Sequence, residues 1–112
     1  MTQTPQLRPV GAALGTEVLG IDLSKPLEAN TFAGIRAAFA EHPVLVFRDQ
    51  DLGARELAAF GRRFGTPRPH ALTKYRHRDC PEVSWLTNVE ETGEIDWYGV
   101  KRATAWHTDS TF

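Results

Sequence analysis

The sequence predicts a mixed α/β fold in which strands predominate and two helices flank them. Three observations carry that expectation. Short apolar pieces between Leu7 and Leu23 are broken by Gly11, Gly15 and Gly20, a glycine density that suits short strands joined by tight turns. Two later stretches switch to helical spacing. Between them Val44-Leu45-Val46-Phe47 runs without a polar break, as a strand buried on both faces does.

The first helix is expected from Leu27 to His42, where Phe32, Ile35 and Phe39 share one face at i, i+3 and i+7. Asn30 or Thr31 is placed to cap its start. His42-Pro43 should end it, because proline pushes the preceding residue out of the α region. Arg48-Asp49-Gln50-Asp51 reads as a polar turn. A second helix from Ala54 to Phe64 repeats the spacing with Leu57, Phe60 and Phe64, and Gly65 stands where a terminating glycine belongs. Thr66-Pro67-Arg68-Pro69 is irregular. Glu82 to Val89 reads as a strand carrying Trp85, Glu91-Thr92-Gly93-Glu94 as a turn, and Ala105 to Phe112 as a returning strand. Trp85 and Trp106 are expected to pack in the core. No Gly-rich phosphate loop follows a strand, which argues against a dinucleotide-binding fold.

A chain of 112 residues fits one small domain, and its 41% hydrophobic content suffices for a modest core. The formal net charge of −1 gives no global field directed at nucleic acid or a membrane surface. No apolar window approaches the roughly 20 residues of a membrane span. The first residues, Met1-Thr2-Gln3-Thr4-Pro5-Gln6, carry neither a basic leader nor an apolar run, so a cytoplasmic protein is expected. Cys80 is the single cysteine, which rules out an internal disulfide. It reads as an incidental thiol.

The sharpest chemical feature is Trp106-His107-Thr108-Asp109-Ser110-Thr111-Phe112. Positions two apart on a strand point to the same face. His107 and Asp109 can then present an imidazole and a carboxylate to one ion, two of the three donors that non-haem Fe(II) oxygenases use. Spacing alone does not distinguish such a pair from a surface ion pair, which is the commoner outcome. The chain contains its own control, His77-Arg78-Asp79, with the same spacing. Arg76 and Arg78 beside His77 would repel a metal ion, whereas Trp106 and Phe112 could wall a site around His107 and Asp109 from water.

The segment from Trp106 to Phe112 closely resembles the iron-binding segment of the taurine dioxygenase and phenoxyacetate-herbicide dioxygenase family. The resemblance extends to Leu14-Gly15-Thr16-Glu17-Val18-Leu19-Gly20-Ile21-Asp22-Leu23-Ser24-Lys25-Pro26-Leu27, to Val44-Leu45-Val46-Phe47-Arg48-Asp49-Gln50 and to Arg63-Phe64-Gly65, in order and in register from Leu7 onward. It implies a double-stranded β-helix, or jelly roll, with helices packed outside. It implies Fe(II) held by His107 and Asp109, 2-oxoglutarate as cosubstrate and O2 as oxidant. The reaction implied is hydroxylation of a small, anionic organic substrate with release of succinate and CO2. The family's distal iron-binding histidine, its cosubstrate-clamping arginine and a cosubstrate-contacting threonine lie well downstream and have no counterpart in these residues. Residues 1–112 are therefore expected to be the N-terminal part of a single dioxygenase domain, cut after the His-x-Asp motif and inactive alone, from a parent that is a homo-oligomer. An inactive relative serving as a binding module, or a structural domain in which His107 and Asp109 form only an ion pair, are the competing readings.

Between Glu56 and Asp79 there is no acidic residue, while Arg62, Arg63, Arg68, Lys74, Arg76 and Arg78 add positive charge around His70. That pattern suits either a solvated basic surface or recognition of a carboxylate, sulfonate or phosphate. It is too local and too poor in interleaved aromatics for nucleic acid. The resemblance places His70 at a substrate-binding histidine of the taurine enzyme and Lys74 at an active-site lysine of a herbicide dioxygenase. Ala105 replaces the taurine enzyme's substrate-contacting asparagine, which disfavours taurine itself. Asn88 and Tyr98 are further pocket candidates.

Overall fold

The computed structural model describes residues 4–97 and 105–108. A three-stranded sheet is formed by β1 (Gln6–Pro9), β2 (Thr16–Leu19) and β3 (Leu45–Val46), in that spatial order. β1 and β2 make an antiparallel hairpin, with Leu7 opposite Val18 and Arg8 opposite Glu17. Gly15, at φ 97°, lets the loop close through the Val10 N–H donating to the Gly15 carbonyl at 3.0 Å. That backbone region is strained for a residue with a Cβ. β3 runs parallel to β2, which requires a crossover. The helix α1 (Ala29–Glu41) supplies it.

Opposed residues share a face of the sheet. Leu7, Val18 and Leu45 therefore lie on one side, and Arg8, Glu17 and Val46 on the other. The apolar side continues into the core: Val18, Ile21, Leu23 and Ile35 are buried together, with Leu27, Leu45, Phe47, Leu52 and Phe60 packed against them. On the opposite side Glu17, 5% exposed, accepts from Arg8 Nε at 3.1 Å and Nη2 at 2.5 Å, and Arg48 Nε lies 3.3 Å from its other oxygen. A buried carboxylate needs such partners. This corrects the expectation for Val44–Phe47. The run is half-buried, with Val44 exposed, because only its Leu45–Phe47 side meets the core.

α1 buries Thr31, Phe32, Ile35 and Ala38; of the predicted face Phe32 and Ile35 are buried, whereas Phe39 is exposed and meets the Phe64 ring at 6.0 Å. Its start is corrected: Glu28 is the N-cap and no side chain bonds there, since Thr31 is turned inward. The end falls as predicted at His42, whose N–H still reaches the Ala38 carbonyl at 2.8 Å. The helix α2 (Ala54–Arg62) ends two residues before the expected Phe64. Arg63 and Phe64 close a tighter turn onto the Phe60 and Gly61 carbonyls at 3.1 Å, so Gly65 does not take the terminating role. Phe32 of α1, Phe47 just after β3, Phe60 of α2 and Phe64 in the turn that follows α2 interlock edge to face, with centroids 5.0–6.5 Å apart.

Asp49 stands at φ 55°, a conformation that Asp tolerates better than most residues. It turns the chain so that Gln50 faces the β2–α1 connection. There the Gln50 amide donates to the Ile21 carbonyl at 2.9 Å and accepts from the Leu23 N–H at 2.8 Å. One side chain thus satisfies two backbone groups on a segment without a strand partner.

Candidate functional site

After α2 the chain passes Pro67 and Pro69 and enters a single 3₁₀ turn, Thr73–Tyr75. The next stretch folds back on it. Arg76 pairs with Ser84 as an isolated antiparallel bridge, His77 N–H donates to the Val83 carbonyl at 2.7 Å, and Trp85 N–H donates to the Tyr75 carbonyl at 2.7 Å. A second bridge, Val89 to Ile95, closes a small hairpin around Gly93 at φ 87°. The turn at Glu91–Glu94 is thus present, with Gly93 N–H on the Glu90 carbonyl at 2.9 Å. The strand expected over Glu82–Val89 is reduced to these two bridges. Trp85 is exposed rather than core, its ring stacked on His77 at 5.5 Å. Trp106 is fully exposed, another correction.

The hairpin delivers Asp96 to Tyr75. Both are buried, at 3% and 2% exposure, and the Tyr75 hydroxyl donates to Asp96 Oδ2 at 2.6 Å. Lys74 lies on the same ring, with Nζ 4.9 Å from its centroid. Its ammonium stands 3.8 Å from Asp96 Oδ1 and 3.7 Å from Glu90 Oε1. The Tyr75 side chain, followed by Asp96 and Glu90, holds the Lys74 ammonium above the usual lysine range against a smaller desolvation cost. His70 packs edge-on against Tyr75 at 5.3 Å, and its carbonyl accepts from Arg76 Nε at 2.7 Å. Two of the nominated residues, His70 and Lys74, are therefore gathered around one tyrosine. Asn88 joins them only through its backbone, its carbonyl accepting the Asp96 N–H at 2.8 Å.

Sequence reading missed Tyr75, Asp96 and Glu90. Asp96 sits in a stretch without clear periodicity, and its partner is 21 residues away. The basic stretch is also less basic than it reads. Folding brings Glu82 onto Arg62, and Glu90 and Asp96 onto Lys74. Arg63 is occupied by the Leu27 carbonyl at 3.0 Å and the Phe32 ring at 4.5 Å. A cleft of about 350 Å³ between Leu23–Leu27 and α2, lined by Arg55, Phe60 and Arg63, contains none of the nominated residues.

The histidines divide by the edge each one presents. His70 Nδ1 accepts from the Leu72 N–H at 3.0 Å, and His77 Nδ1 accepts from the Asp79 and Cys80 N–H groups at 3.1 and 3.3 Å. In their neutral rings the proton is then on Nε2. His107 is the reverse. Its Nδ1 lies 2.9 Å from the Ala105 carbonyl, which can only accept, so in the neutral ring the proton is on Nδ1 and the lone pair on Nε2. A backbone carbonyl fixing Nδ1–H is the usual support for an imidazole that ligates through Nε2.

His107 is exposed, and Ala105–Thr108 carries no strand pairing. Asp109 and Tyr98 lie outside the described residues. Among the described residues no three His, Cys, Asp or Glu side chains gather around a common point. Imidazole with a carboxylate two residues on suits Fe(II) in donor chemistry. Cys80 is buried and unbridged.

The chain is 38% identical to an alkylsulfatase of Acinetobacter baylyi over 99% of its own length and 32% of that protein. It is 32% identical to an alpha-ketoglutarate-dependent sulfate ester dioxygenase of Pseudomonas putida, covering 95% of this chain and 32% of that one. Identity to an (S)-phenoxypropionate/alpha-ketoglutarate-dioxygenase of Delftia acidovorans is 31%, over 100% of this chain and 39% of the relative. The chain thus spans about a third of the length of the curated relatives it matches. A crystal structure from Burkholderia xenovorans, described as a putative alpha-ketoglutarate-dependent taurine dioxygenase, superposes on 69% of this chain and 28% of that one with a TM-score of 0.63 at 32% identity. The family model for the taurine catabolism dioxygenase TauD, TfdA family matches residues 6–112, and the chain belongs to that family.

Proposed function

We propose that this chain is the N-terminal part of a single Fe(II)- and 2-oxoglutarate-dependent dioxygenase domain that hydroxylates a small anionic organic molecule. The family match over residues 6–112, ending on the His107–Asp109 motif, carries the reading. His107, with its Nδ1 proton on the Ala105 carbonyl, and Asp109 are its iron ligands. Bound Fe(II) supplies the activation of O2, with 2-oxoglutarate as co-reductant leaving as succinate and CO2. The protein's part is to bind and orient the substrate and exclude water.

His70 and Lys74 are the substrate-binding residues, with Asn88 at the pocket margin. His70 offers Nε2–H and Lys74 an ammonium, two donors suited to a carboxylate or sulfate oxygen. Relatives named for sulfate ester and phenoxypropionate chemistry support an anion of that kind. The three strands are the opening of the jelly roll, whose remainder lies in the two-thirds of the relatives beyond this match. No helix among the described residues is long and apolar enough to cross a membrane. The full-length protein is proposed to be a cytoplasmic homo-oligomer.

The test is succinate release by the full-length protein supplied with Fe(II), 2-oxoglutarate and either hexyl sulfate or 2-phenoxypropionate. Succinate formation matched by oxidised substrate is expected with at least one. Full metal loading without any 2-oxoglutarate consumption would overturn the reading.

A further inference from the structure

We infer that Asp96 is a positioning residue for Lys74, acting through the pair it forms with Tyr75. The inference rests on the reading of Lys74 as an anion-binding residue and extends it to a carboxylate that touches no substrate.

A carboxylate buried to 3% exposure is costly unless its oxygens are partnered. Asp96 divides its two oxygens. Oδ2 takes the Tyr75 hydroxyl at 2.6 Å, and Oδ1 faces Lys74 Nζ at 3.8 Å. The hydroxyl bond fixes the carboxylate, and the Tyr75 ring beneath Lys74 Nζ fixes the stem's direction. Lysine has a long, freely rotating stem whose ordering opposes binding. A stem held before the ligand arrives removes that cost.

The distances also leave the ammonium able to act. Both carboxylates near Lys74 lie beyond hydrogen-bond contact, at 3.7 and 3.8 Å. Neither carboxylate takes a hydrogen bond from it. Glu90 is half-exposed and sits at the edge of the hairpin, so it yields to an incoming anion more readily than Asp96, which is locked to Tyr75.

Positioning and simple charge predict opposite signs, which makes the proposal testable. If Asp96 were only a negative charge near the pocket, removing it would strengthen anion binding. If it positions Lys74, removing it weakens binding. Hexyl sulfate affinity of the full-length protein is measured by calorimetry for wild type, Asp96→Asn, Tyr75→Phe and Lys74→Ala. The Lys74 Cε resonance is followed through a pH titration without ligand in the first three. Asp96→Asn is expected to weaken binding about three- to tenfold and to lower the Lys74 titration midpoint. Tyr75→Phe keeps the carboxylate but removes the hydroxyl that bonds it, and should weaken binding in the same direction. It serves also where Asp96→Asn fails to fold. Tighter or unchanged binding in a folded variant, with Lys74→Ala weakened, overturns the role of Asp96 alone. Unchanged binding in Lys74→Ala overturns the reading of Lys74 beneath it.

Discussion

The Tyr75 hydroxyl donates a 2.6 Å hydrogen bond to the carboxylate of Asp96, and both side chains are buried. This bond ties the hairpin around Gly93 to the 3₁₀ turn at Thr73–Tyr75, which carries Lys74 and against which His70 packs. Tyr75→Phe removes the donor and leaves the buried carboxylate in place. A hydrogen bond to a charged group contributes about 1.5–3 kcal/mol, so a loss of about 2 kcal/mol is expected. Urea unfolding of the full-length protein measures it, with a fall in midpoint and no change in slope.

Gln50 joins the turn after β3 to the connection before α1 through the Ile21 carbonyl and the Leu23 N–H. Gln50→Ala strips both backbone groups of their partner. The expected cost is about 1–3 kcal/mol. Gln50→Glu should cost more, because an acceptor then faces the Ile21 carbonyl. Equal stability of the two variants in thermal melts would count against the bridging role.

Ile35 has no exposed surface and sits among Val18, Ile21 and Leu23. Ile35→Ala should therefore cost about 2–5 kcal/mol through lost burial and an unfilled cavity. Ile35→Val should cost about 1 kcal/mol. Calorimetric unfolding of both variants checks the ratio.

Asp22 caps its own turn. Its Oδ1 accepts from Ser24 Oγ at 2.5 Å and from Ser24 N–H at 3.0 Å. The Ser24 hydroxyl first, then the Ser24 N–H and the nearby Lys25, hold the Asp22 carboxyl below its ordinary value of 3.8. The native state thus binds this proton less readily than the unfolded chain. Its contribution is full above the ordinary value and is lost as pH falls through the lowered one. Ser24→Ala should narrow that acid-side window and raise the Asp22 titration midpoint, read from its carboxyl carbon resonance.

Local pattern exposed much of the fold and less of the site. Phe32 and Ile35 on the buried face of α1 and the stop at His42-Pro43 were readable because helical period and proline geometry are local, although Phe39 of the same expected face stays exposed. The depth of burial of Val44–Phe47 was not, because a Glu17 between Arg8 and Arg48 occupies the other side of the sheet. The same limit applies to the site. His70 and Lys74 stood out by type and resemblance, but Tyr75 and Asp96 meet only through the hairpin fold. The neutralisation of the basic stretch by Glu82, Glu90 and Asp96 is likewise a product of tertiary contact. Spacing alone made His77–Asp79 and His107–Asp109 equals. Their imidazoles differ in the folded chain, since His77 Nδ1 accepts backbone N–H groups while His107 Nδ1 faces a carbonyl.

That difference gives the most direct test of the central claim, that His107 is an iron ligand of a 2-oxoglutarate-dependent dioxygenase. Anaerobic Fe(II) titration of the full-length protein should be compared for wild type, His107→Ala and His77→Ala. His107→Ala is expected to lower Fe(II) affinity by more than about a hundredfold, beyond the cost of losing an outer partner, and to abolish succinate release. His77→Ala should bind Fe(II) as wild type does. Wild-type Fe(II) binding and succinate release in a folded His107→Ala protein would contradict the account.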